Sequence, residues 1–191
     1  MIRITMLLVL VSAIYGCQQS PRKNIYLLSA SPVPAAEQNT AINQVIGLGP
    51  ISLADYLQRS AIVRNKDANR LQLAEAEHWG EPLEKGISRV LAINLMNKNP
   101  QRVIESFPWR SYAKPHYSLR LTVYDLQVIN GEASINASWK LMLSENKKII
   151  HQQHFVRRKA CGHSAAEIAK TYSDLFAELA TEMDKAITLA Q

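Results

Sequence analysis

The chain is poor in the residues that mark specialised classes of protein. Among its 191 residues are two cysteines, seven glycines and eight prolines. Cys17 and Cys161 cannot make a disulfide framework, and no CxxC pair or Cys/His array has the spacing of a zinc site. So little glycine and proline excludes collagen-like and low-complexity chains. Charged residues make up 20% of the chain against 47% apolar, too little charge for wholesale disorder. No apolar run reaches the ~20 residues of a membrane-spanning helix. P-loops, dinucleotide fingerprints and paired catalytic carboxylates are missing as well. What remains is an ordinary globular composition with a net charge of +6, long enough for one solid core and short for two domains.

The first residues set the compartment. Arg3 supplies a positive start, and Ile4 to Gly16 carries no charge before Cys17 and a polar stretch, QQSPRKN. A positive start followed by 7 to 15 apolar residues is the pattern of a secretory signal peptide. Ile14-Tyr15-Gly16-Cys17 resembles the lipobox of bacterial lipoproteins, with Tyr15 bulkier than the usual small residue. That resemblance implies a signal peptide over 1–16, a Cys17 thiol alkylated by diacylglycerol, and a short tether over 17–24. Gln18 in place of Asp implies sorting to the outer membrane. Two or three acyl chains hold a protein stably where one does not, at ~0.8 kcal/mol per buried CH₂. An exported protein has no nucleic acid to bind, so the basic surplus faces anionic headgroups, an acidic partner or only water. A Cys17–Cys161 disulfide would exclude lipidation. The expectation is instead a lipidated Cys17 and a buried, unreactive Cys161, since free cysteine behaves as a small apolar residue.

Periodicity organises residues 25–191 as one domain. Ile25 to Leu28 reads as a first strand, and Ser31 to Thr40 as a proline-containing loop. Val45 to Leu53 is an apolar strand interrupted at Gly47, Gly49 and Pro50. Ala61 to Arg64 and Arg70 to Leu73 read as short strands about a polar turn. From Trp79 to Leu95 apolar residues recur at spacings of three and four, one stripe of a helix with Pro82 in its first turn. Arg102 to Ser106 is a further strand. Leu119, Leu121 and Val123, then Ala133 to Leu143, alternate with polar residues about Asn130-Gly131, the favoured pair for a tight hairpin. A third strand runs from Lys148 to Val156. Ser164 followed by Glu167 is a capping-box pattern, opening a helix whose stripe runs from Ile168 to Ile187. The expected fold is α+β: a two-layer sandwich of a mainly antiparallel sheet and two amphipathic helices.

Candidate chemistry is sparse. Gly162-His163-Ser164-Ala165-Ala166 falls one residue short of the G-x-S-x-G nucleophile elbow, and no histidine follows Ser164 as the hydrolase order requires. Ser164 is better placed as a helix cap. His151 and His154, three apart on a strand, point to opposite faces and make no metal pair. Arg157-Arg158-Lys159 reads as a solvated basic run with a secondary reading as a headgroup or partner contact. No catalytic residue, metal site or cofactor is expected.

Two blocks carry a more specific resemblance. In GLGPISLADYLQRSAIVR, Asp55, Tyr56, Leu57, Arg59, Ile62 and Val63 follow a pattern of the PqiC/YmbA family; Ala54 stands where proline is usual, and Arg64 comes one position early. In HWGEPLEKGISRVLAINL, Trp79, Glu81, Pro82 and Leu83 resemble the same family's W-x-EPL helix start. This family comprises auxiliary lipoproteins of ABC-type and MCE (mammalian cell entry) transport systems. The resemblance implies a non-catalytic outer-membrane lipoprotein on the periplasmic face. Its implied partners are a periplasm-spanning MCE-domain protein (PqiB-like) and an inner-membrane component, the set moving lipid and preserving envelope integrity. A ring-shaped partner tip would favour a homo-oligomer. Tyr56, Arg59, Arg64, Trp79 and Glu81 are the implied partner-binding residues, or else they hold a loop onto the first helix. The alternatives are a stand-alone periplasmic lipid-binding lipoprotein and a serine esterase using Ser164.

Overall fold

The alternating stretches fold into the longest strands of the protein. The structure is a computed structural model that describes residues 22–32, 42–67, 69–109 and 115–190. The expected signal peptide over 1–16, Cys17, and most of the loop expected over 31–40 lie outside the described residues. The chain order is β1 (Asn24–Tyr26), β2 (Gln44–Leu53), a short 3-10 turn (Asp55–Gln58), β3 (Ala61–Asp67), β4 (Arg70–Trp79) and α1 (Leu83–Lys98). There follow β5 (Arg102–Ser106), β6 (Tyr117–Ile129), β7 (Glu132–Leu143), β8 (Ile149–Ala160) and α2 (Ala165–Leu189).

Two mixed sheets result, of order β1-β4-β3 and β5-β2-β6-β7-β8. Strands β6, β7 and β8 form the expected antiparallel meander. Its first turn places Asn130 at φ 50° and Gly131 at φ 76°, the left-handed geometry for which this pair is favoured. The α+β sandwich stands, but the sheet is divided and less uniform than expected. β1 pairs with β4, and β2 with both β5 and β6, in parallel. Alternation identifies a strand without naming its neighbour, and the long connections between these strands permit the crossovers that parallel pairing needs.

The interruption in β2 is a register shift between Leu48 and Ile51 against β6. Gly49 there has φ +121°, which side chains beyond glycine rarely adopt. Gly47 is needed for space: an added Cβ would lie 2.5 Å from the Trp109 ring.

Both helices cover one face of the larger sheet, α1 over β2 and β5 and α2 over β7 and β8. The α2 stripe is buried throughout, Phe176, Leu179 and Met183 all at 0% exposure. From β7, Ile135, Ala137, Trp139 and Leu141 meet it from below. Trp79 departs from expectation: it ends β4 instead of opening the helical stripe. Pro82 is the N-cap of α1, and a proline restricts the preceding residue to extended backbone, so the helix cannot begin earlier.

Residues 27–32 pass over the seam between the helices. Leu28 plugs the core, and the backbone N–H groups of Ser29 and Ser31 donate to Ser173 Oγ at 3.0 Å and Asn94 Oδ1 at 2.9 Å. This strap joins the N-terminal segment to both helices.

Candidate functional site

The first motif wraps the end of β2. After Leu53, the last residue of β2 paired with β6, the Ala54 N–H donates to the Val123 carbonyl at 3.1 Å. The chain then turns through Asp55–Gln58, anchored by buried Leu57. That turn aims Tyr56 at the β6 bulge. Its hydroxyl donates to the Asp125 carboxylate and accepts the Leu126 N–H at 3.1 Å. Burial, and then the bond to Asp125, raise the Tyr56 hydroxyl well above its ordinary pKa of 10.0, so it stays neutral. Arg59 follows with an exposed side chain in extended backbone. Arg64 is half-buried on β3 opposite Gln72, and its Nε finds no hydrogen-bond partner among the described residues.

The second motif holds the strap. Trp79 is buried, its ring stacked on that of Tyr172 with centroids 6.4 Å apart. One Glu81 carboxylate oxygen accepts from Arg89 Nε at 3.0 Å and from its terminal nitrogen at 2.6 Å. Arg89 in turn donates to the Leu28 carbonyl at 2.8 Å. Glu81 thus lies over the first turn of α1, where the helix dipole favours negative charge, and fixes the strap through Arg89.

Of the five motif residues, Tyr56, Trp79 and Glu81 make contacts within the fold, while Arg59 presents its charge to solvent. None of the five lines either of two clefts among the described residues. A groove of about 480 Å³ runs between α1 and the β2 bulge, lined by Pro50, Lys85, Ser88, Met96 and Phe107. A second cleft of about 510 Å³ lies among Asn94, Lys98, Lys159 and Glu178.

Sequence reasoning missed the partners of these residues. Asp125 and Arg89 were inconspicuous because their importance depends on contacts 69 and 61 positions away in the chain. Arg102 also escaped notice. Its guanidinium, 1% exposed, bonds Asp184 Oδ1 at 2.6 Å and Gln44 Oε1 at 2.6 Å, tying β5 to α2 and β2. A charged residue opening a strand gives no warning of burial.

The other candidates fall where their residue types suggested. Ser164 is the N-cap of α2 in a complete capping box: its Oγ accepts the Glu167 N–H at 3.2 Å, and its own N–H donates to the Glu167 carboxylate at 3.0 Å. His151 lies beside the Trp139 ring, whereas exposed His154 bonds Asn136. Cys161 is a free, buried thiol. Among the described residues no group of three or more His, Cys, Asp or Glu side chains is placed to hold a metal. Nor is any helix among them long and apolar enough to cross a membrane.

The sequence model of the family described as ABC-type transport auxiliary lipoprotein component matches residues 26–184. The chain belongs to that family. No curated protein matches it. A solved structure described only as an uncharacterized protein is 19% identical with a TM-score of 0.71, covering 87% of this chain and 99% of its own. A Xanthomonas campestris protein of family DUF330 is 15% identical with a TM-score of 0.66, covering 84% of this chain and 92% of its own. A hypothetical protein from Chlamydia trachomatis is 9% identical with a TM-score of 0.52, covering 77% and 99%. At such identities these likenesses show a shared fold. Both motifs lie inside the stretch matched to the transport auxiliary lipoproteins, and three of their five singled-out residues serve that fold from within.

Proposed function

We propose that this auxiliary lipoprotein is a non-catalytic subunit of an MCE-type lipid transport system, anchored through Cys17 to the periplasmic face of the outer membrane. Its partner is an MCE-domain, PqiB-like protein that spans the periplasm from an inner-membrane component, and the set contributes to envelope integrity. The family match over residues 26–184 carries this reading, because it makes the chain an auxiliary component of a transporter. The geometry supports one motif residue as the docking contact. Tyr56, Trp79 and Glu81 are engaged internally, so Arg59, on a turn held rigid by Tyr56 and Leu57, is the motif residue that reaches a partner. Seven steps separate Cys17 from Asn24, so the domain lies within about 25 Å of its anchor and the partner must cross the periplasm to it.

Capture of the full-length lipidated protein by its MCE-domain partner tests this. Arg59→Glu should weaken capture about tenfold, the effect of reversing one interfacial charge. Equal binding by Arg59→Glu would remove Arg59 from the interface, and no binding by the wild type would remove the partner. Cys17→Ser should release the protein from membranes; acyl-lipid label retained by that variant would refute the anchor. Lipid co-purifying stoichiometrically without any partner would favour a stand-alone carrier instead.

A further inference from the structure

The outer half of the β3–β4 hairpin is an arm whose base, at Ile62 and Trp79, is held in the core. β4 pairs with β1 only over Glu77–Trp79, so toward the turn at Asp67 and Arg70 the arm is two-stranded among the described residues. Because β1 runs parallel to β4, the chain followed backwards from Asn24 points along β4 toward the tip of that arm. The reach is sufficient. The pairing slips from His78 to Leu73 while β3 advances two residues, so the length of the arm is set by β3, whose six steps from Ala61 to Asp67 cover about 20 Å. From Asn24 back to Cys17 is seven steps, with a reach of about 25 Å. An acylated Cys17 and the tip of the arm can therefore stand at the same membrane surface.

The composition of the arm suits that surface. Leu71 and Leu73 lie on one face of β4 and are 44% and 43% exposed. Lys66 and Arg70 stand at the tip, Arg70 bonded to Asp67 at 2.9 Å, and Arg22 and Lys23 precede β1. Exposed leucines beside basic side chains match an interface where acyl chains begin below anionic headgroups. A single exposed leucine is ordinary; two on one face near the end of an arm are what a membrane contact would use.

We propose that the β3–β4 arm rests on the leaflet that holds Cys17, with Leu71 and Leu73 at the level of the headgroups, fixing the orientation of the domain above the membrane. This rests on the reading of Cys17 as the lipid anchor. The test uses the full-length lipidated protein carrying Cys161→Ala and either Leu71→Cys or Gln152→Cys, labelled with an environment-sensitive fluorophore. Gln152 is exposed on β8, in the other sheet. The protein is floated with phosphatidylethanolamine–phosphatidylglycerol vesicles, with and without doxyl-labelled lipid. A blue shift and doxyl quenching at position 71 but not at 152 support the proposal. Protein that floats with a water-like, unquenched label at 71 overturns it while leaving the anchor intact. Protein that does not float removes both. A blue shift that follows protein concentration in detergent, with no change on adding vesicles, assigns the arm to a second copy and overturns the membrane contact.

Discussion

The Tyr56 hydroxyl stands beside the Leu126 N–H, 3.1 Å away, where a longer β2 would have placed backbone. β2 stops pairing at Leu53, opposite Val123, and the next residue of β6, Tyr124, bulges out of its ladder with β7. Beyond that point this edge of β6 pairs with no strand among the described residues. A side chain from the 3-10 turn substitutes for one, and through Leu57 it seats the turn that carries Arg59.

Tyr56→Phe keeps the ring and removes those bonds. It should lower stability by about 1 to 3 kcal/mol, the cost of leaving a largely buried N–H and a carboxylate without their partner. Denaturant unfolding of Tyr56→Phe, Asp125→Asn and the double variant measures the coupling. An unchanged midpoint for Tyr56→Phe would mean the bonds are not made in solution.

Local patterns were legible in the sequence where local interactions decide structure. The Asn130-Gly131 turn, the alternation around it and the Ser164 capping box each need only neighbours in the chain, and each stands as expected. Arg102 to Ser106 was also legible as a strand. Its place beside β2 was not, because parallel pairing is decided by crossovers that leave no mark on alternation. The third meander strand was expected to end at Val156 but continues to Ala160 with Arg157, Arg158 and Lys159 in it. It is the edge of its sheet, where charged side chains are tolerated and protect against further pairing. Of the candidate site, residue identities were legible and their partners were not. Glu81 acts through Arg89 on Leu28, and nothing in W-x-EPL announces a strap.

Arg89→Ala should loosen that strap. Arg89 and Glu81 are 39% and 28% exposed in their side chains, so their pairing is screened and the global cost is small, about 1 kcal/mol. The local effect is larger, because the Leu28 carbonyl loses its donor as well. Amide exchange at Ser29 and Ser31 should accelerate while that of the β6–β7 ladder is unchanged. Uniform acceleration across the domain would show that the strap is not a separate unit.

Arg102 is a different case, being buried. Arg102→Ala should cost about 3 kcal/mol, because Asp184 and Gln44 lose a partner inside the protein. Arg102→Ala with Asp184→Asn removes the unpaired charge but keeps the cavity and should recover much of that loss. Thermal unfolding of the two variants separates a cost of unpaired charge from a cost of lost volume. If the double variant were no more stable than Arg102→Ala, lost volume would be the cause.

Ser164→Ala tests the cap and the enzyme alternative together. Loss of the hydroxyl that accepts the Glu167 N–H should cost about 0.5 to 2 kcal/mol of α2 stability. The cap also depresses the Glu167 carboxyl below its ordinary value of 4.5, first through the Ser164 hydroxyl and then through the Ser164 N–H. A depressed carboxyl contributes stability that is present above 4.5 and is lost as pH falls through the lower native value. Ser164→Ala should therefore move Glu167 back toward 4.5 and flatten the acid limb of the stability profile. Side-chain NMR titration of Glu167 reads this directly, and an unmoved titration would place the cause elsewhere. In cells, a folded Ser164→Ala protein should keep the proposed role in envelope integrity, since Ser164 is engaged in capping the start of α2. Complete loss of function with the fold intact would instead make Ser164 a nucleophile and revive the esterase.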